Sequence, residues 1–202
     1  MRNVLHRAAL LCAALLLAGC AAAPVERDPA VSQSEIRALA SAFEGLSPAV
    51  DPEEAARAAR IAITYPLELR ALYEVEDGPV LHNTKVNAGL KPRGLCWHWA
   101  QDMERRMRQE DFETLALHRA VAPPRNLFRL EHSTLVISAN GETMQEGLVL
   151  DPWRKGGVLY WAPVPEDPSY DWLPRAVVLA SKGYRIPDGA SDTLVRVADG
   201  AL

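Results

Sequence analysis

Three side chains in this sequence have the types that could together make and break an acyl bond: Cys96, His132 and Asp151. A thiolate is a strong nucleophile, but it needs a base that generates it and later carries a proton to the leaving group. The base needs an acceptor that fixes its tautomer and its orientation. Cys96 stands in "RGLCWHWAQD", His132 opens "HSTLVIS", and Asp151 closes "LVLD" ahead of Pro152. The histidine follows the cysteine by 36 positions and the aspartate follows the histidine by 19.

The elements around these residues must bring them together. Gly94 lets the backbone turn tightly before the cysteine. The residues after it have helix character, so Cys96 is placed at a helix N-terminus, where the partial positive charge favours thiolate over thiol. "EHSTLVISA" and "GLVLDPW" read as strands rich in β-branched residues. Asn140-Gly141 signals a hairpin between them, with "ETMQE" lengthening the loop. In an antiparallel hairpin the start of one strand lies near the end of the next, so His132 and Asp151 are expected neighbours. The helix must deliver Cys96 to that end of the sheet.

Further upstream, Ile36, Leu39, Ala40 and Phe43 recur at helical spacing, with Ser34 as the expected cap and Gly45 as the stop. Asp51-Pro52-Glu53-Glu54 opens a second helix, with a cap, a proline and acids in the first turn. Pro66 is expected to kink or restart it before it ends near Val75. "VLHNTKVNAGLKPRG" has no clear periodicity and reads as a shaped loop. Downstream, "ETLALHRAV", "GVLYWAPV" and "AVVLAS" read as further strands. The expected fold class is α+β, with N-terminal helices (34–110) packed on a mostly antiparallel sheet (111–202) in one domain spanning 34–202.

Each candidate also has a plain structural reading. Cys96 could be a small buried hydrophobe, His132 a core histidine at a strand start, and Asp151 a turn cap. His98 lies two residues from Cys96 and points elsewhere on a helix; a structural role is expected for it and for His118. A zinc set of Cys96, His98, His132 and Asp151 lacks the usual paired spacing and sulfur content, so no metal is expected. Glycine-rich nucleotide loops are absent, and no cofactor is expected. Trp97, Trp99, Trp153, Trp161 and Trp172 read mainly as core or lid packing.

Taken in order, "GLCWHWA", "EHSTLVI" and "GLVLDPW" resemble the transglutaminase-like cysteine proteinases of the papain-like superfamily. The resemblance covers roughly residues 94–161. It implies a papain-like core with Cys96 as nucleophile, His132 as general base and acid, and Asp151 as the orienting acceptor. Trp97 and His98 depart from the family, whose members often carry a charged or small residue after the cysteine. Papain-like sites often draw an oxyanion donor from upstream of the cysteine, which makes Asn83 and Asn87 candidates beside the Cys96 backbone N–H.

The N-terminus bears on where this chemistry would occur. Arg2 and Arg7 precede an apolar run, Ala8 to Leu17, too short to span a bilayer. Leu17-Ala18-Gly19-Cys20 resembles the bacterial lipobox. The resemblance implies a signal peptide over 1–19, lipid on Cys20 and a tether over 20–33. Ala21 after the cysteine resembles the pattern of lipoproteins sent to the outer membrane, here facing the periplasm. Cleavage would leave 183 of 202 residues and take two arginines, moving the formal charge from −4 to −6. A mildly acidic chain without a dense basic patch makes nucleic acid an unexpected partner, and membrane attachment is expected from lipid alone. Cys96 would then be the one thiol left free.

These expectations converge on a membrane-anchored cysteine hydrolase or acyltransferase. Its substrate would be a peptide, a protein or a peptidoglycan peptide. The alternative is a catalytically inactive envelope lipoprotein that binds a peptide or protein partner in the same groove.

Overall fold

The computed structural model describes residues 31–124 and 130–185, and the backbone of 195–196. Helix α1 (Gln33–Glu44) is capped by Ser32, whose hydroxyl accepts the Glu35 N–H. The cap is two residues earlier than the expected Ser34, so the helix takes in the end of the expected tether. The rest of the tether, the signal segment 1–19 and Cys20 lie outside the described residues.

Helix α2 (Pro52–Leu72) begins at Asp51, whose carboxylate accepts the N–H groups of Glu53 and Glu54. It does not restart at Pro66, and it ends three residues before Val75. Proline inside a helix removes one backbone bond and costs ~3 kcal/mol. Here a hairpin turn braces the weak point. Arg70, one turn beyond Pro66, donates to the Gly156 carbonyl at 3.1 Å. Gly157 (φ 110°) lies so close that an added Cβ would come within 2.8 Å of the Arg70 Cβ and 3.2 Å of the Pro66 carbonyl oxygen. A side chain there would push the turn off the helix.

Residues 79–87, expected as loop, form helix α3 (Pro79–Asn87). Gly78 and Pro79 supply its start. His82 is its one buried residue, so the sequence has no apolar stripe to betray it. Helix α4 (Cys96–Arg108) then begins on the cysteine and buries Trp99, Met103 and Met107.

The chain continues into β1 (Leu115–Ala122), β2 (His132–Ala139), β3 (Leu148–Lys155), β4 (Val158–Pro163) and the two-residue β5 (Leu173–Pro174). They form one antiparallel sheet in the order β4-β3-β2-β1-β5. A single 3-10 turn (Met144–Glu146) follows Asn140-Gly141 in the β2–β3 connection, so the hairpin loop is long, as "ETMQE" suggested. "AVVLAS" is helical instead: α5 spans Arg175–Ser181 and buries Val178. A short apolar run fits either structure, and periodicity alone could not decide it. Strands β6 (Tyr184–Arg185) and β7 (Val195–Arg196) pair separately.

The architecture is therefore α+β, with five helices among the described residues and an antiparallel five-stranded sheet. Leu135, Ile137, Leu148 and Leu150 pack with α1, α2 and α4 around Leu39, Phe43, Trp99 and Met103. The other face of the sheet packs Val136 and Val149 against Val164 and Trp172. Full burial of each large apolar side chain contributes about 1.5–3 kcal/mol. Alanines at 55, 58, 59 and 62 give α2 a smooth buried face against α1. Glu54 is buried, yet satisfied: its carboxylate accepts the N–H groups of Glu113 and Thr114 and the Thr114 hydroxyl, tying the start of α2 to the approach to β1.

Candidate active site

The turn before Cys96 is fixed by two histidines. His82, buried in α3, donates from Nε2 to the Arg93 carbonyl at 2.8 Å. Gly94 packs directly on that ring: with φ 126°, a Cβ there would lie 2.3 Å from Nε2. His98 folds back to accept the N–H groups of Gly94 and Leu95 at Nδ1 (3.1 and 3.2 Å). It thus serves as the cap that Leu95 cannot provide. Burial, and then the nearby Arg93 charge, push its pKa down to about 4, so it is held as a neutral acceptor. The Trp99 indole adds a bond to the Gly94 carbonyl at 2.9 Å. Arg93 itself is pinned by Asp102, which also accepts the Tyr73 hydroxyl. Cys96 is consequently presented, half-buried, at the positive end of α4.

His132 and Asp151 meet across β2 and β3. The register pairs Leu135 with Leu150 and Val136 with Val149. Continued by one step, it sets Asp151 opposite Thr134, on the face that strand alternation shares with His132. His132 Nε2 donates to Asp151 Oδ2 at 2.6 Å, with both residues nearly fully buried (2% and 1% exposed side chains). Burial alone would lower the imidazole pKa. The Asp151 carboxylate outweighs it, Cys96 adds to the effect, and the value is raised to about 9. The same pairing, reinforced by Arg154, holds the Asp151 carboxyl below its ordinary range despite burial. The second ring nitrogen, Nδ1, is buried without a partner at ordinary hydrogen-bond length, and Cys96 bears on the ring from beyond that range. Aromatic rings close around the imidazole: Tyr170 at 4.5 Å, Trp153 at 4.6 Å and Trp172 at 5.5 Å between centroids.

Cys96 and His132 line one open cleft of about 410 Å³, together with Val80, Asn83, Leu130, Glu131, Trp153 and Tyr170. The Cys96 sulfur reaches the Glu131 carbonyl, the residue before His132, at 3.9 Å. Asn83 is oriented in the cleft because its side-chain oxygen accepts the Trp153 indole N–H at 3.0 Å. That bond leaves its amide NH2 as a donor. Asn87 is placed apart from it: it is exposed at the last residue of α3, one turn past Asn83 and outside the cleft lining. His118 donates from Nε2 to Ser138 at 2.7 Å within the sheet, a structural bond. Among the described residues, no cluster of three His, Cys, Asp or Glu side chains is arranged to hold a metal ion, and no helix is long and apolar enough to cross a membrane.

The main participant that sequence reasoning missed is Arg154. It donates from Nε to Asp151 Oδ2 at 2.6 Å, and its other end forms a two-point pair with Asp167. In a regular strand, residues three apart face opposite sides. The register shift between Asp151 and Lys155 turns Arg154 back toward the aspartate. Asp167 also accepts the Trp172 indole N–H at 2.8 Å.

No family model, curated protein or solved structure matches this chain, and the geometry of the site itself is the ground for a functional reading.

Proposed function

We propose that this chain is a transglutaminase-like, papain-like cysteine hydrolase or acyltransferase acting on peptide or cell-wall peptide amides. In this reading Cys96 attacks the carbonyl carbon, and the carbonyl π electrons move to oxygen. The Asn83 amide and the Cys96 N–H are the donors for that developing oxyanion. Collapse expels the amine, which takes its proton from the His132 imidazolium. Water, or an acceptor amine, then attacks the thioester with His132 as base, and the thiolate returns. Asp151 holds the ring throughout. We further propose that lipid on Cys20 anchors the domain to the envelope membrane, on the periplasmic side.

The observation that carries the reading is the placement of an accessible helix-terminal cysteine beside a buried histidine that is tied to a buried aspartate. Catalytic hydrogen bonds are often long before substrate binds, so the open Nδ1 fits a resting site.

The test is iodoacetamide labelling of Cys96 between about pH 5 and 9, in the wild type and in His132→Ala. Rapid labelling on the acid side, slowed roughly tenfold or more by the histidine change, supports an activated pair. Slow labelling that ignores His132 would sink the enzyme reading and leave a groove that only binds. Cys20→Ser is expected to release the chain from the membrane fraction.

A further inference from the structure

The polar chain that begins at His132 does not stop at Asp151. It runs from His132 through Asp151 to Arg154, on to Asp167, and ends at the Trp172 indole, whose ring stands 5.5 Å from His132 again. The Arg154 guanidinium lies 4.0 Å from the Tyr160 ring centre and 4.7 Å from that of Tyr170, which also stacks on His132. Arg154 is largely covered, with 14% of its side chain exposed, and Asp167 is buried. A planar fork bound at both ends and held between rings has little freedom to relax.

We propose that Arg154 is a positioning residue for the Cys96–His132 chemistry: it fixes the Asp151 carboxylate and couples it, through Asp167, to the aromatic segment that walls the cleft. This rests on the hydrolase reading for its catalytic meaning, though not for its geometry. Asp151 Oδ2 receives both the His132 N–H and the Arg154 N–H, so two cations share one carboxylate oxygen. Asp167 offsets one of them. The charge that His132 experiences is therefore set by a balance of two acids and one arginine. The other groups facing the ring are Cys96 from α4 and Tyr170 from the segment after β4. Glu131 turns its carboxylate to Lys182 instead.

The test is the NMR titration of the His132 ring in the full chain, with melting temperature recorded alongside. Arg154→Gln removes a competing cation, and the His132 midpoint is expected to rise by about one pH unit. Asp167→Asn leaves Arg154 unopposed, and the midpoint is expected to fall by a similar amount. Arg154→Lys keeps the charge and should stay near the wild type. These opposite shifts are what a merely structural role would not produce. Unchanged midpoints in both Arg154→Gln and Asp167→Asn, with only a lower melting temperature, would overturn the proposal. If Arg154→Gln does not fold, Asp167→Asn decides alone by the same criterion. Cys96 labelling in the same samples separates the two readings: labelling indifferent to His132 removes the hydrolase, while the titration still decides the role of Arg154.

Discussion

The Trp153 indole N–H donates to the Asn83 side-chain oxygen at 3.0 Å, joining residues 70 positions apart across the cleft mouth. With the oxygen engaged by the indole, the NH2 is the end of the amide left to donate within the cleft that Cys96 also lines. Trp153→Phe keeps a ring beside His132 but drops this bond. It is expected to lower kcat with little change in KM. Asn83→Ala should cost about 10²-fold in kcat if the amide serves the oxyanion. Steady-state kinetics on a cleaved peptide, once one is found, would check both; unchanged kcat in Asn83→Ala would leave the Cys96 N–H as the donor.

Cys96→Ala should abolish turnover while leaving the fold intact. The sulfur is half-buried and its hydrogen bond to the Glu131 carbonyl is long at 3.9 Å, so its loss removes little packing. The expected change in unfolding free energy is within that of an ordinary surface substitution, about 0.5 kcal/mol. Residual turnover in this variant would rule out Cys96 as nucleophile.

The pH dependence of stability has a definite sign. His132 has its pKa raised in the fold, from 6.5 to about 9, chiefly by Asp151 working against burial. The stabilisation is therefore complete below about pH 6.5 and is lost as the pH climbs through 9. Its size is on the order of 3 kcal/mol. Denaturant melts at a series of pH values should show this alkaline loss in the wild type and a flatter profile in Asp151→Asn. An equal slope in both would mean that the pair is not the source.

Gly94→Ala tests the turn that presents the nucleophile. The new methyl would meet the His82 ring at 2.3 Å, on a backbone with φ 126°. A destabilisation of at least ~2 kcal/mol is expected, together with slower Cys96 labelling. His82→Ala in the same background should recover part of the loss by opening space for the methyl. No recovery would mean that the backbone angle, rather than the clash, sets the cost.

Much of the site was legible because it is written in local signals. A glycine before a cysteine before a helical run, a histidine at a strand start and an aspartate near the next turn are all short-range features, and antiparallel geometry supplied the juxtaposition. What escaped needed tertiary knowledge. Helix α3 buries one side chain, His82, so it has no amphipathic period to read. The continuity of α2 through Pro66 depends on a hairpin turn nearly a hundred residues away. Arg154 reaches Asp151 where the strand slips register, which the alternation of a regular strand does not foresee. Asn83 and Asn87 looked alike as loop residues; helix geometry separates them by one turn, and Asn83 is the one that lines the cleft.

The wedging of Gly94 against His82 makes α3 and the start of α4 a single body, so Asn83 and Cys96 travel together. His132 and Asp151 belong to the sheet. The candidate groups are thus drawn from both parts of the domain, two from the helices and two from the sheet. In the proposed hydrolase neither part would carry chemistry by itself, however intact its own residues. A chain whose helices have formed but have not yet docked would hold Cys96 away from His132, and the thiol would join its base only when the two parts close.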